Sequence, residues 1–264
     1  MELKYKLGFI GAGNMAKAIS DGIIKSNYLK QTDMIMSRNS SSGTYNGIEI
    51  ITDNNYILQN CEYVVLAVKP QIFKELSQDK LFENAKCSCV ISIMAGVKSE
   101  NIQKLFNKNT AVIRVMPNTP CSVGEGMVCI AKNKYHNIYN NFVNDIFACS
   151  SKTAFVEESL FDAVTSISGS GPAYVYYFIK AMIDAGVEGG LSFDDSKLLT
   201  LQTIKGAVKM VENSSDELSV LIDKVCSKGG TTIQAIDTFR QNEMDSTIKT
   251  AIKKCKMRSE ELSK

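Results

Sequence analysis

An α/β first half followed by an all-helical second half is what this 264-residue sequence predicts, and three observations predict it. Apolar, strand-like runs alternate with helical patterns through the first half. A glycine turn, Gly11-Ala12-Gly13-Asn14-Met15-Ala16, joins the first apolar run to the first helix with no residues to spare. After about Val156 the strand signals stop and long helical periodicities take over. Alternating β and α segments imply parallel strands, right-handed crossovers and a sheet covered on both faces.

In chain order, the expected strands are Lys6–Ile10, Asp33–Ser37, Gly47–Ile51, Tyr63–Val68, Ser88–Met94, Ala111–Met116 and Met127–Ala131. The run from Val64 to Val68 is continuously apolar, as a doubly covered parallel strand should be. The clearest early helix is Asn14–Ser26. Later helices are expected at Ser159–Ile167, Pro172–Asp184, Phe193–Glu212, Glu217–Val225, Thr231–Arg240 and Asp245–Leu262. Pro172 suits a first helical turn, where no N–H is needed. Tyr174, Phe178 and Met182 recur every four residues, a stripe for helix packing or a subunit interface. These apolar faces exceed what one small bundle covers, which favours a homo-oligomer. The predicted organisation is an α/β domain over 1–156 and an all-helical domain over 157–264.

Hydrophobic content of 44% and charged content of 22% suit a globular protein rather than a disordered one. A net charge of +2 excludes the strongly basic balance of a nucleic-acid binder. The lysines between Lys249 and Lys256 read as the solvated face of a helix. No apolar run approaches a membrane span. Eight cysteines show no zinc spacing; Cys87 and Cys89 form a C-x-C inside a buried-looking strand. Reduced, mostly buried thiols and a cytoplasmic setting are expected. Charged residues precede a short apolar run before the glycines, so a signal peptide is not expected. The single histidine, His136, lies in the polar stretch Lys132–Asn141. Chemistry that needs no strong protein base is therefore expected, and no metal.

The chemistry-bearing segments begin with the glycine turn. Gly11 permits the tight turn, Gly13 admits a pyrophosphate, and small Ala16 allows close helix–strand packing. The helix start adds free N–H groups and a positive dipole end. The second strand ends in Ser37-Arg38-Asn39 with no carboxylate to bond both ribose hydroxyls. A hydroxyl followed by a guanidinium suits a 2′-phosphate, which favours NADP. Ala67-Val68-Lys69-Pro70 follows the fourth expected strand at the carboxyl edge; Lys69 either approaches the cofactor or faces solvent. Ala95 and Gly96 supply small residues where backbone passes close to a flat ring. Met116-Pro117-Asn118-Thr119-Pro120 fits either a holder for a carboxamide or a rigid interdomain turn. Ser168–Tyr174 is a flexible polar turn entering a long helix. Ser227-Lys228-Gly229-Gly230-Thr231-Thr232 offers a small carboxylate a helix terminus, although an ordinary threonine N-cap explains it as well.

Together these segments resemble the pyrroline-5-carboxylate reductase family. The resemblance rests on Gly8–Ala16, Ala67–Pro70, Met116–Pro120, Asp162-Ala163-Val164 with Ser168–Tyr174, and Gly229–Thr232, in order over nearly the whole chain. It implies reduction of a cyclic imino acid to L-proline with NAD(P)H, a step of proline biosynthesis. It also implies a Rossmann-type dinucleotide-binding domain over 1–156 and an all-helical substrate and dimerisation domain over 157–264. These would form a homodimer by interleaved helices, with the active site between a cofactor and a helical domain partly from the partner. Carried over by position, Ile10, Gly11, Ala12, Gly13, Asn14 and Met15 would bind the cofactor, as would Ser37, Arg38, Asn39 and Asn54. Ala67, Val68, Lys69, Pro70, Ile93, Met94 and Ala95 would complete that site, with Asn118 and Thr119 near the nicotinamide. Gly230, Thr231 and Thr232 would receive the substrate carboxylate, and Glu158 would face the substrate. Thr232 is the expected catalytic residue, placed near the ring nitrogen. Lys228 stands where the family frequently has proline, and Lys224 replaces an amide that contacts product in some relatives.

Two other classes share parts of this pattern. A β-hydroxyacid dehydrogenase would need a helix-borne lysine as acid–base, for which Lys180 is the nearest candidate, without the accompanying Gly/Asn pattern. A non-catalytic dinucleotide-binding regulator would not need the hydroxyls and amides of Gly229–Thr232. For imine reduction the task is mainly positioning, because a protonated imine is already electrophilic.

Overall fold

The computed structural model describes residues 3–78, 80–133 and 136–262. The side chain of His136 lies outside what is described. The first half runs β1 (Tyr5–Ile10), α1 (Asn14–Lys25), β2 (Met34–Ser37), β3 (Gly43–Tyr45), β4 (Ile48–Ile51), α2 (Asn54–Asn60) and β5 (Cys61–Leu66). It continues with α3 (Pro70–Leu76), β6 (Cys89–Ser92), α4 (Ser99–Gln103), β7 (Ala111–Met116), β8 (Gly126–Ala131), α5 (His136–Ala148) and β9 (Ser151–Val156). These strands form one sheet in the order β3-β4-β2-β1-β5-β6-β7-β8-β9.

The central strands β4, β2, β1, β5, β6 and β7 pair in parallel. Their side chains alternate between two cores. Leu7 and Phe9 of β1, with Tyr63 and Val65 of β5, face the core that α1 and α5 cover. Ile10, Val64 and Leu66 face the opposite core, closed by Ile57 and Leu58 of α2, Phe73 of α3 and Ile102 of α4. Strands buried on both faces read as near-continuous apolar runs, and β1, β5 and β7 do, each interrupted by one charged residue, Lys6, Glu62 and Arg114. From β1 the chain first builds outward through β2 and β4, then returns to place β5 on the other side. The strand order therefore reverses at β1, and its carboxyl end is where such sheets bind ligands.

Two pairings depart from the all-parallel expectation: β3 with β4, and β7 with β8, are antiparallel. Both follow short connections that leave no length for a crossover helix. β9 pairs in parallel with β8. β3 and β9 carry no strong sequence signal, because β3 has three largely exposed residues and β9 is only half-buried along its length. β5 ends at Leu66 and not Val68, so Ala67–Pro70 is loop. Helices α2, α3 and α4 have seven, seven and five residues, too short to repeat an apolar face.

Beyond the last strand come α6 (Phe161–Val164), α7 (Gly171–Glu188), α8 (Phe193–Glu212), α9 (Leu218–Val225), α10 (Thr231–Gln241) and α11 (Met244–Leu262). The helix expected over Ser159–Ile167 is instead three short pieces. A 3-10 turn leads into α6, and a π-turn follows over Thr165–Gly169. The N–H of Ser170 bonds the carbonyl of Thr165, five residues back. α8 begins where Ser192 accepts the N–H of Asp195, with two aspartates in its first turn and Lys209 in its last.

By compactness the chain forms two units. One holds the residues up to Ser170 together with those from Cys255 onward; the other is Gly171–Lys254. In the second unit Val175, Tyr176, Tyr177 and Phe178 of α7 are all exposed, Tyr177 at 79%. Among the described residues no helix is long and apolar enough to cross a membrane.

The cysteines are free thiols, five of them buried. Burial pushes the Cys61 and Cys87 thiols up to about 12, and it raises Cys89 and Cys129 as well. Thiolate is the nucleophilic form, so a thiol whose pKa lies above ambient pH reacts slowly even where a reagent reaches it. Iodoacetamide at pH 8 should leave Cys61, Cys87, Cys89 and Cys129 unmodified in the native protein and label all four in denaturant, as read by peptide mass spectrometry.

Candidate active site

The carboxyl edge is knitted together at the glycine turn. Ala67 donates its N–H to the carbonyl of Ile10 at 2.8 Å, and Gly11 donates to the carbonyl of Ser37 at 3.0 Å. Gly11 adopts φ +105°, and a Cβ there would lie 2.7 Å from the Ala67 carbonyl oxygen. Only glycine fits. Gly13 is different. Its φ of −81° suits any residue, and a Cβ would meet nothing within 4 Å. The fold gives Gly13 no reason to be glycine, whereas a phosphate seated on the helix start would. That start, the N-terminus of α1, has no side-chain cap and no acid in its first turn. Ile10 is fully buried, Ala12 and Met15 pack partly against the core, and Asn14 is exposed.

Ser37 and Asn54 meet here. Ser37 is fully buried, and its hydroxyl donates to Oδ1 of Asn54 at 2.6 Å. As placed, the hydroxyl is an internal strut that fixes the Asn54 carboxamide. Nδ2 of Asn54 has no partner among the described residues. Asp53 caps α2 by accepting the N–H groups of Asn55 and Tyr56, which holds Asn54 in the first turn. The Arg38 side chain donates through Nε to the Ser41 carbonyl at 2.7 Å. No carboxylate among the described residues pairs with it, so its terminal nitrogens remain available. Asn39 is exposed beside it.

Ala67 and Val68 are half-buried, Lys69 is exposed, and Pro70 opens α3. Met94 turns its side chain into the core, leaving only its backbone at the edge, while Ile93 and Ala95 are half-buried. Asn118 is also buried. Its Oδ1 accepts the Met127 N–H at 2.9 Å, and its Nδ2 donates to the carbonyl and hydroxyl of Ser168. The carboxamide ties the start of β8 to the π-turn; the rigid-turn alternative describes it better than a holder of a ligand amide. Thr119 next to it is exposed.

Glu158 turns its carboxylate inward. Oε1 accepts the Ser99 N–H at 2.8 Å, Oε2 accepts the Ser99 hydroxyl, and Nη1 of Arg114 lies 3.5 Å from Oε1. Arg114 carries no motif signal, since it sits inside the apolar strand β7. It is 3% exposed and lies 4.8 Å over the Phe161 ring. Burial lowers its pKa, against the opposing pull of Glu158 and Asp162.

In the helical unit, Gly229 at φ +73° turns the chain and Gly230 becomes the N-cap residue of α10, with no side-chain cap. The hydroxyls of Thr231 and Thr232 have no partner among the described residues, so the threonine-cap reading does not hold here. Lys224 bonds Asp216 at 2.5 Å. Lys180 pairs with Asp184 and is 72% exposed, on a helix surface rather than in a cleft. Among the described residues no group of three His, Cys, Asp or Glu is placed to hold a metal ion.

A glycine turn and uncapped helix at a strand-order reversal define a dinucleotide-binding fold. The model of the pyrroline-5-carboxylate reductase dimerisation family matches residues 158–262, and that of coenzyme F420-dependent NADP oxidoreductases matches residues 6–96. The chain is 35% identical to pyrroline-5-carboxylate reductase of Glycine max, over 98% of this chain and 96% of that one. It is 33% identical to that of Escherichia coli, over 99% and 100%. The crystal structure of Plasmodium falciparum pyrroline carboxylate reductase with NADP bound superposes with a TM-score of 0.90, at 33% identity over the whole of both chains. The chain belongs to the pyrroline-5-carboxylate reductase family.

Gly13→Ala separates ligand room from folding. It should cost under about 1 kcal/mol of stability yet weaken NADPH binding at least about tenfold, measured by thermal melting and by quenching of cofactor fluorescence. Unchanged affinity would remove the phosphate from this turn.

Proposed function

We propose that this chain reduces 1-pyrroline-5-carboxylate to L-proline, with NADPH preferred over NADH. The observation that carries the reading is the uncapped start of α10, where Thr231 and Thr232 present amides and hydroxyls that have no partner among the described residues. Membership of the family supports the choice of substrate, and the NADP in the Plasmodium falciparum relative supports the choice of cofactor.

The bound nicotinamide supplies the hydride. The chain's own residues bind and orient. The first-turn amides of α1 hold the pyrophosphate, and the guanidinium of Arg38 holds the 2′-phosphate through charge-assisted hydrogen bonds. Asn54, fixed by Ser37, turns its free Nδ2 to the adenosine end. The amides of α10 hold the substrate carboxylate, and the Thr232 hydroxyl accepts a hydrogen bond from the N–H of the protonated ring nitrogen, so the proton stays on the imine and its carbon stays electrophilic. Such a site needs no histidine. Most of its rate enhancement comes from holding two reactants in register.

We also assign the dinucleotide-binding role to 1–156 and the substrate and dimerisation roles to 157–264. The exposed apolar side chains of α7 support a homodimer, and free cysteines suit a reducing, cytoplasmic setting.

The direct test follows NADPH oxidation at 340 nm with 1-pyrroline-5-carboxylate, against NADP reduction with a panel of 3-hydroxyacids. Oxidation with the imine alone is expected; silence in both assays defeats the proposal. Thr232→Val should lower kcat by about tenfold or more with little change in NADPH affinity. Near-normal turnover would remove the role given to its hydroxyl. Arg38→Ala should lower the preference for NADPH over NADH by roughly 10–100-fold, the worth of one charge-assisted hydrogen bond. An unchanged ratio of kcat/KM values would place 2′-phosphate recognition elsewhere.

A further inference from the structure

The loop from Ile93 to Lys98, which leaves β6 at the carboxyl edge, is pinned at both ends. At its start Ile93 donates its N–H to the Leu66 carbonyl at 3.3 Å, extending the sheet by one bond. Met94 donates to the Ser92 hydroxyl at 3.4 Å and buries its side chain. In mid-loop Gly96 turns at φ +73°, with Leu262 of α11 packed where a Cβ would point. At its end Ser99, the first residue of α4, gives both its N–H and its hydroxyl to Glu158. Lys98, the N-cap residue of α4, offers no side-chain cap. Glu158 supplies that function from 59 residues away in sequence.

Arg114 stands behind Glu158. It lies beside Ser92 in the sheet register, and its Nη1 faces the carboxylate. Nε and Nη2 are buried without a hydrogen-bond partner among the described residues. A buried guanidinium that leaves two donors unused is a poor stabiliser, because desolvation offsets most of what its one ion pair returns. What it does supply is direction. It holds one carboxylate oxygen, so that the carboxylate can hold one serine.

We infer that Arg114 and Glu158 are positioning residues for the cofactor: through Ser99 they fix the backbone of Ile93–Ala95 against the nicotinamide end, and Glu158 does not contact the substrate. This rests on the reading of the carboxyl edge as the dinucleotide site given above. It predicts a signature distinct from that of a substrate ligand, because the effect is carried by the cofactor-side loop.

The test compares Ser99→Ala, Glu158→Gln and Glu158→Ala with the unaltered full-length protein. NADPH affinity is measured by fluorescence without substrate, KM for the imine at saturating NADPH, and melting temperature alongside. Ser99→Ala and Glu158→Ala should raise the NADPH dissociation constant about fivefold, with KM for the imine within about twofold. Glu158→Gln keeps an acceptor for the Ser99 N–H and should fall between them and the parent. A raised imine KM with unchanged NADPH affinity would make Glu158 a substrate ligand and overturn the inference. A lower melting temperature with both constants unmoved would make the cluster purely structural and overturn it equally. If Glu158→Ala does not fold, Ser99→Ala and Glu158→Gln still decide. An unaltered protein that binds NADPH but leaves the imine untouched would defeat the proposed reaction, while the binding comparison would still judge the loop.

Discussion

The close approach of two strand ends at Gly11 is the constraint on which the first unit depends. The carbonyl of Ile10 takes the Ala67 N–H, the N–H of Gly11 goes to Ser37, and the space between Gly11 and the Ala67 carbonyl is too small for a Cβ. Those two hydrogen bonds fix the carboxyl ends of β1, β2 and β5 relative to one another. The α1 start, the Ser37–Asn54 strut and the 67–70 loop inherit their positions from that junction. A side chain at residue 11 would not merely fill a pocket; it would separate the strands that define the edge.

Built on that edge, the residues divide by whether the protein already occupies their polar groups. Ser37, Asn118 and Glu158 have theirs satisfied internally, by Asn54, by Met127 and Ser168, and by Ser99 and Arg114. In a folded chain a satisfied buried polar group is a joint. Breaking it strands its partner and costs more than the bond itself contributes. The first-turn amides of α1, Nδ2 of Asn54 and the terminal nitrogens of Arg38 have no such partner among the described residues. In the other unit the same is true of the α10 amides and of Thr231 and Thr232. Groups of that second kind are the ones that the proposed function gives to a ligand.

The sequence carried the sheet and the glycine turn because these are local. Apolar runs, a period of two or 3.6 residues, and glycine at a forbidden φ are all written within a few neighbours. It marked Asn118, Ser37 and Glu158 as candidate site residues but not the direction of their side chains, since their partners lie 9 to 59 residues away. Arg114 was invisible for the same reason, with the added disguise of an apolar strand around it. The edge strands β3 and β9 were lost because half-exposed segments do not alternate cleanly. Interruption of the helix expected at Ser159–Ile167 by a π-turn is likewise a tertiary effect, since the Asn118 carboxamide holds Ser168 from across the unit.

That distinction also bears on the chemistry. A reductase acting on a protonated imine asks little of side-chain acidity and much of distance, because rate depends steeply on how well two reactants are held. In the reading proposed above, joints such as Asn118 and Glu158 serve catalysis without touching a reacting atom, by setting where the ligand-facing backbone stands. Lys224 shows the same economy from the opposite direction. A charged side chain introduced near the α10 turn is taken up by Asp216 at 2.5 Å, so its charge is balanced locally and the uncapped helix start keeps its own weak positive field for an anion.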